Sequence, residues 1–335
     1  MHRIYLQTND AEHNEVVVFE RAADGRIEPL GRVDTGGRGS GVPHLASQSS
    51  LVLDGDRLLV TNAGSDELSL LRVTSEGLEL AAHVPSGGSD PTSVAVHGDL
   101  AYVLNNGSSS IAGFSLADGA LVALEGSARE LAGGADPAQI AFSPDGHTLV
   151  VTERGTNSIS TFAVDERGLA DGPETIASSG ATPYGFDFAG GALVVTEAFG
   201  GEIGRAAASS YALGQRGRLE PVSASVADTR SEVCWAAVTK DGRFVFVTNF
   251  GDGTISSYAI GGDGSLELLE PVAASTRLGE KGIRDEALTV DGRFLYALDA
   301  DARRVYGWSV GEDGTLTPVG HADGLPETVA GLAAS

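Results

Sequence analysis

The sequence predicts an all-β fold, a seven-bladed β-propeller with four-stranded blades that forms one domain over residues 1–335. Three observations predict it. One line of sequence recurs along the chain, each copy reads as four short strands, and the two chain ends resemble neighbouring strands of one blade. A period near 335/7, about 48 residues, is typical of propeller repeats.

The recurring line is an apolar strand that ends in an Asn, Asp or Glu, with another apolar residue six positions later. We call this strand-terminal residue the polar position. Successive copies are 43, 48, 44, 52 and 50 residues apart, and the position holds Asn62, Asn105, Glu153, Glu197, Asn249 and Asp299. A seventh copy opens the chain in "IYLQTNDAEHNEVVVF", with Asn9 or Asp10 at this position. Seven copies predict seven blades.

Each unit reads as β-structure throughout. In the copy at residues 136–164, "AQIAF" is a short apolar strand and "SPDG" is a turn with Pro and Gly where turns favour them. "HTLVV" and "SISTFAV" are strands with partial alternation, "DERG" is a second turn, and a weaker strand follows. No convincing amphipathic helix competes, so each unit predicts a four-stranded blade.

The chain ends predict how the ring closes. "RIYLQTN" near the N-terminus matches the second strand "RFVFVTN" of a later copy, whereas "LPETVAGLAAS" at the C-terminus matches the first strand "DPTSVAVHGD". The first blade should therefore combine three N-terminal strands with one C-terminal strand. Such pairing removes the exposed edges of an open sheet.

Composition limits the partners. The net charge is 22 − 46 = −24, which disfavours nucleic acid and anionic membranes. Cys234 is the only cysteine, so no intrachain disulfide is possible, and we expect it to be a small buried hydrophobe. The N-terminus has no apolar segment and no run of 18 apolar residues occurs, which predicts a soluble, cytoplasmic protein. The sequence does not indicate an oligomeric state.

Repeats of the type "SPDGRxLYVxN", followed by "GxI..F.V" and "DGxL..L", resemble the lactonase-type seven-bladed propellers. These include bacterial propeller-type 6-phosphogluconolactonase and fungal carboxymuconate lactonizing enzyme. The resemblance covers the whole chain and is closest in "KDGRFVFVTNFGDGTISSYAIGGDGSLELLEP", residues 240–271. It implies a lactone hydrolase, or a lactonizing cycloisomerase, that acts on a small carboxylate or sugar lactone at the channel mouth. The phosphogluconolactonase members carry a His-Pro-His segment, of which "VPHLAS" retains His44.

The polar position should lie on the ligand-binding face of the ring. In a propeller the loop between second and third strands shares one face with the links between blades, and ligands bind at such faces. Asn suits a turn because it bonds its own backbone and tolerates left-handed geometry, which Glu does poorly. Glu153 and Glu197 are therefore either a functional acidic pair or solvated carboxylates. We expect both to face the central mouth, with Arg284 able to approach at least one.

Ring opening of a lactone needs a base for water and a positive group for the developing oxyanion. The catalytic candidates are His44 or Glu153 as base, Glu197 as proton shuttle and Arg284 as oxyanion or carboxylate clamp. The substrate-binding candidates are Arg154, Tyr184, Trp235, Asp285 and Gln139. Structural alternatives are an internal ion pair for Arg284, core packing for the aromatic residues and a hydrogen-bonded surface His44. A five-residue insertion in "AFGGEIGRAA" next to Glu197 is either a lid or a neutral loop.

No cofactor or metal is predicted. The chain has no HExxH motif and no paired CxxC, which argues against zinc. Oxygen ligands on the face make calcium conceivable, but the chain does not resemble the propellers that use it. The alternative function is a non-catalytic propeller that binds a small molecule or a protein, with the same loops but no convergent acid/base group.

Overall fold

A computed structural model describes residues 2–43 and 45–335, and the regular secondary structure of this part of the chain is almost entirely β-strand. The first three blades' strands are β1 (Arg3–Gln7), β2 (Glu15–Arg21), β3 (Ile27–Asp34), β4 (Leu51–Asp54), β5 (Arg57–Asn62), β6 (Glu67–Val73), β7 (Leu78–Pro85), β8 (Pro91–His97), β9 (Leu100–Asn105), β10 (Ser110–Ser115), β11 (Val122–Ala123) and β12 (Arg129–Glu130). Next come β13 (Pro137–Phe142), β14 (Thr148–Glu153), β15 (Ser158–Val164), β16 (Ala170–Ala177), β17 (Pro183–Ala189), β18 (Ala192–Glu197), β19 (Ala207–Leu213) and β20 (Leu219–Ala227). The last strands are β21 (Val233–Val238), β22 (Phe244–Asn249), β23 (Thr254–Ile260), β24 (Leu266–Ser275), β25 (Ile283–Leu288), β26 (Phe294–Asp299), β27 (Arg304–Val310), β28 (Leu316–Asp323) and β29 (Ala330–Ala334). Short 3₁₀ turns occupy Ala117–Gly119, Phe199–Gly201 and Gln215–Gly217.

These strands form seven antiparallel sheets, which we number as blades in chain order. Blade 1 is β29-β1-β2-β3, blade 2 is β4 to β7, and blades 4 to 7 take β13 to β28 in groups of four. Blade 3 is β8-β9-β10 with an outermost strand in two pieces, because β11 and β12 both pair with β10. The innermost strands contact one another in the order β29, β4, β8, β13, β17, β21, β25 and back to β29. The predicted seven-bladed propeller is confirmed.

Ring closure follows the predicted arrangement. β29 pairs antiparallel with β1, with Ile4 opposite Ala334 and Gln7 opposite Ala330. The innermost strand of blade 1 is therefore C-terminal and its other three strands are N-terminal. Both edges that an open ring would leave unpaired are thereby joined.

The turns between first and second strands repeat one set of contacts. In blade 6 the Thr239 hydroxyl donates to the Asp241 carboxylate at 2.7 Å, and the Arg243 guanidinium donates to the same side chain at 2.6 Å. These two hydrogen bonds lower the pKa of Asp241 to about 2. Gly242 has φ +70°, a left-handed conformation that Gly adopts without steric cost.

The core lies between the blades. Among the described residues, seven hydrophobic clusters each join one pair of neighbouring blades, so the ring has one cluster per interface. Between blades 4 and 5, for example, Val150 and Ile159 pack with Phe186 and Tyr211. Burial of each such side chain stabilises the fold by about 1.5–3 kcal/mol. No helix among these residues is both long and apolar enough to cross a membrane.

Candidate functional site at the top of the channel

The innermost strands begin at the end of the ring where the second strands finish. Pro137 pairs with Glu153, and Val233 pairs with Asn249. The loops between second and third strands and the links between blades therefore share this end, which we call the top face.

The polar position lies at the top end but is buried inside the blade. Its six residues are the last residues of second strands, and all are 0% exposed. Glu153 accepts hydrogen bonds from the Ser160 hydroxyl (2.5 Å) and the Thr156 hydroxyl (2.8 Å). Asn62 and Asn249 bond the equivalent serines, Ser69 and Ser256, at 2.7 and 2.8 Å. The side chain therefore ties the second strand to the third.

Glu197 is held in the same way by more donors. Its carboxylate accepts the Ser209 hydroxyl (2.5 Å), the Ser225 hydroxyl (2.6 Å) and the Gly180 N–H (2.7 Å). Oxygen acceptors suit hydroxyl and amide donors, and this explains why a carboxylate fits a position that Asn fills elsewhere.

Two expectations about this position therefore need correction. Glu153 and Glu197 do not face the open mouth, because hydroxyls of their own blades and of the adjoining link enclose them. In five of these loops the left-handed residue comes four positions later, at Asp66, Ser109, Asn157, Gly253 and Arg303. Turn geometry thus does not select Asn in these copies, whereas in the opening copy Asn9 itself is left-handed, with φ +50°.

β-Bulges near the start of the innermost strands shape the site. In blades 5, 6 and 7 the pairing with the second strand shifts between the first and fourth residues of the strand. A bulge leaves an extra residue outside the ladder and re-aims nearby side chains. The shifted residues include Tyr184, Trp235 and Arg284, three of the predicted site residues.

Aromatic side chains from adjacent blades meet at this level. Tyr184 and Trp235 lie 4.9 Å apart between ring centroids at an interplanar angle of 61°. They form one buried cluster with Ala138, Ala198 and Cys234, against which Ala46 and Phe250 pack. Burial raises the pKa of the Cys234 thiol to about 12, so the thiol stays protonated at neutral pH.

Three cations border this cluster, and each is paired with a carboxylate. Arg154 contacts Asp136 at 2.5 Å, Lys281 contacts Glu232 at 2.6 Å and Arg284 contacts Asp301 at 3.6 Å. We call these six residues the ion-pair arc. All lie in top-face loops, in links or at the start of an innermost strand.

The cations also lie over aromatic rings. Arg154 is 4.8 Å from the Tyr184 centroid and donates to its hydroxyl at 2.8 Å. Arg284 is 4.4 Å from the Phe250 centroid, and Lys281 is 5.4 Å from the same ring. The Arg284 side chain is only 10% exposed, and its Nε has no hydrogen-bond partner. The Arg284 guanidinium is thus held in place with part of its donor capacity unused.

A family model for the seven-bladed β-propeller lactonases matches residues 11–124, 94–203 and 195–328, which together span most of the chain. The chain belongs to this lactonase family. No curated protein matches it.

Similar solved structures share the lactonase propeller fold. A protein from Lactobacillus plantarum has a TM-score of 0.77 and 17% identity and covers 100% of both chains. A putative 6-phosphogluconolactonase from Bacteroides fragilis has a TM-score of 0.75 and 17% identity, covering 100% of this chain and 98% of its own. The periplasmic gluconolactonase of Pseudomonas aeruginosa has a TM-score of 0.72 and 18% identity, covering 99% and 98%. At these identities the likeness extends to the fold alone.

Two predicted substrate-binding residues of this lactonase-family chain serve the scaffold. Gln139 bridges neighbouring innermost strands, because its amide donates to the Phe186 carbonyl (3.0 Å) and accepts the Phe186 N–H (2.7 Å). Asp285 accepts the Gly331 N–H at 3.0 Å and so joins blade 7 to blade 1. Neither side chain is placed in the ion-pair arc. His44 lies outside the described residues.

Buried carboxylates on the innermost strands, among them the predicted site residue Asp285, form a separate feature. Burial raises the pKa of Asp285 to about 7 and that of Asp187 to about 6. Glu286 has no hydrogen-bond partner on either carboxylate oxygen, and burial together with the negative charges of Asp187 and Asp285 raises its pKa well above the usual value. No group of three or more His, Cys, Asp or Glu residues in the described chain is placed to hold a metal ion.

Sequence reasoning missed Phe250, Lys281, Glu232 and Asp301. They lie in links and loops, where the pattern is weakest, and converge only around the ring. It also missed the structural role of the polar position. A signal for that role was present, because a serine follows Asn62, Glu153 and Asn249 by seven residues in each case.

Proposed function

We propose that this protein hydrolyses a lactone that carries a carboxylate or another anionic group, bound at the top of the channel by Arg284. Membership of the lactonase family supports the reaction class. The observation that carries the site is the Arg284 guanidinium, which is largely buried against Phe250 and has an unpartnered Nε. Arg presents donors in a fixed fork that suits a carboxylate or a developing oxyanion.

An anionic substrate can exchange with the carboxylate already present. The Arg284–Asp301 contact is the longest pair of the ion-pair arc at 3.6 Å, and the Asp301 side chain is 47% exposed. A substrate oxygen that replaces Asp301 leaves the Arg284 guanidinium paired with an anion, while Phe250 keeps the guanidinium oriented.

Hydrolysis begins when water attacks the lactone carbonyl and negative charge develops on its oxygen. Arg284 would stabilise that charge or the neighbouring carboxylate, and Tyr184 and Trp235 would provide an apolar wall. His44 is the proposed base, since an imidazole exchanges protons near neutral pH. The roles of Glu153 as base and Glu197 as proton shuttle stay predictions. Lactonization, the reverse reaction, would use the same groups.

The experiment is a panel of lactones followed by pH-stat at constant pH. Two of the similar structures are described as a putative 6-phosphogluconolactonase and a gluconolactonase, so sugar lactones with and without a phosphate should be tested beside carboxylated lactones. Arg284→Met should lower kcat/KM by about 100-fold or more for a substrate the wild type hydrolyses. Arg167→Met is the matched control, because Arg167 is 77% exposed in a turn at the opposite end of the ring.

The proposal fails if the wild type hydrolyses no member of the panel, or if Arg284→Met and Arg167→Met hydrolyse it equally well. One observation favours a non-catalytic binding protein instead: the carboxylates of Asp136, Glu232 and Asp301 are all paired with cations. In that case calorimetry should detect binding of a carboxylate to the wild type but not to Arg284→Met. Neither protein should hydrolyse any lactone of the panel.

A further inference from the structure

The link between blades 1 and 2 is unusually long. It comprises residues 35–50, whereas the links before β17 and β21 comprise only residues 178–182 and 228–232. The additional length is not needed to reach the next blade. Its last residues instead run across the top of the channel.

Two residues near the end of this link, Ser47 and Gln48, are tied to three other blades. The Gln48 amide donates to the Ala236 carbonyl at 2.8 Å and accepts the Ala236 N–H at 3.2 Å, both on blade 6. Ser47 donates to the Ala138 carbonyl on blade 4, and Ser93 on blade 3 donates to the Gln48 carbonyl at 2.7 Å. In a ring of seven, blades 2 and 6 are three steps apart, which is the largest separation possible. The Gln48 side chain therefore spans the channel.

The space beside Ala236 fits the side-chain amide of Gln48 closely. Ala236 presents one donor and one acceptor on the free edge of its strand, and a primary amide satisfies both at once. A Cβ atom on Gly185 would lie 2.4 Å from the side-chain amide oxygen of Gln48, so the close approach depends on glycine there. Gln139 makes the same bidentate pair with Phe186 one blade away. Gln48, however, lies in a link, whereas Gln139 lies within an innermost strand.

The ties place the preceding residues beside the candidate site. Ala46 packs against the cluster that contains Tyr184, Trp235 and Cys234, and Leu45 packs with Ala63 and Ala330. The ion-pair arc lies around the same cluster.

We propose that Gln48 is a positioning residue, which latches the link across the channel so that the stretch around Ala46 forms one wall of the substrate site and covers Trp235. This rests on the proposed function for the identity of the site, but the latch itself is a statement about structure.

Fluorescence quenching tests the latch without any assumption about activity. The chain has two tryptophans, and Trp308→Phe leaves Trp235 as the single reporter. In that background Gln48→Ala should raise the acrylamide quenching constant of Trp235 about threefold or more, because release of the link opens the cluster locally. Gln48→Met keeps the side-chain length but removes both hydrogen bonds, and should give the same increase. If Trp308→Phe does not fold, the same comparison is made with Trp308 present as a constant background.

Gln139→Ala is the matched control, because it removes a bidentate amide bridge of the same kind outside the link. It should lower the melting temperature by a similar amount and leave the quenching constant of Trp235 unchanged. An unchanged constant in Gln48→Ala would overturn the latch, and so would an equal increase in Gln139→Ala. If Trp235 is shielded from acrylamide in Gln48→Met as fully as in the wild type, side-chain packing and not the amide holds the link. That result would also overturn the latch.

Kinetics separate the latch from the proposed function. On a lactone that the wild type hydrolyses, Gln48→Ala and Gln48→Met should raise KM more than they lower kcat, because a wall of the pocket is lost while Arg284 stays in place. Equal KM values in wild type and both variants would overturn the positioning role. If the wild type hydrolyses no lactone, the proposed function fails, and the quenching result still decides whether Gln48 latches the link.

Discussion

Replacing Asp285 by Asn should make the protein less sensitive to alkaline pH. Asp285 is 4% exposed, and burial raises its pKa from 3.8 to about 7. The folded state therefore holds a proton that the unfolded state releases at lower pH. This proton stabilises the fold fully below pH 3.8, and the contribution is lost as pH rises to about 7. Asn keeps an oxygen for the Gly331 N–H but cannot ionise.

The magnitude follows from the size of the pKa shift. A shift of about three pH units corresponds to about 4 kcal/mol, of which about 2 kcal/mol should be lost between pH 5.5 and pH 8.5. The free energy of unfolding of Asp285→Asn minus that of the wild type should therefore rise by about 2 kcal/mol over this interval.

Urea unfolding of both proteins at several pH values measures this difference. Taking the difference removes the contribution of the acidic groups whose pKa values do not depend on the charge of Asp285. Asp263→Asn is the control: Asp263 is exposed and its pKa is lowered by hydrogen bonds from Ser265, so the pH trend should be absent. A constant difference between Asp285→Asn and wild type across the interval would refute the reasoning.

Three further predictions follow from the fold. Glu153→Gln should lower the free energy of unfolding by about 1–2 kcal/mol in chemical denaturation, because one hydroxyl loses its carboxylate acceptor; unchanged stability with abolished turnover would instead support a catalytic role. Deleting residues 330–335 removes β29 and its cluster contacts between blades 7 and 1, and should cost at least about 4 kcal/mol; an unchanged melting temperature would contradict the closure of the ring. Cys234 is buried and protonated, so iodoacetamide should label it only on unfolding and reductant should not shift the melting temperature; rapid labelling of the folded protein would contradict this.

The sequence by itself determined the blade and its repetition. Strand length, turn composition and alternation are local properties, so the copies around Asn62, Glu153 and Asn249 predict the same four-stranded unit. Closure by β29 was also predictable, because the C-terminal segment carries the pattern of a first strand. Strand order alone also predicts that the polar position lies at the top face.

The orientation of the polar side chains was decided by tertiary structure. Whether Glu197 points to the mouth or into its blade depends on which donors surround it, and these come from Gly180, Ser209 and Ser225 on three different segments. A buried carboxylate is stable only where enough hydrogen bonds replace its water. The number of such hydrogen bonds cannot be read from the sequence, because the donors come together only in the tertiary structure.

The candidate site was decided by the closed ring. Arg154, Trp235 and Arg284 come from blades 4, 6 and 7, and Gln48 reaches Ala236 across 188 residues of sequence. No local pattern encodes such contacts, because the angle between neighbouring blades and the β-bulges at the start of the innermost strands set where these side chains meet. The long link before β4 was visible in the sequence as extra length, but only the opposite wall of the channel gives Gln48 its partner.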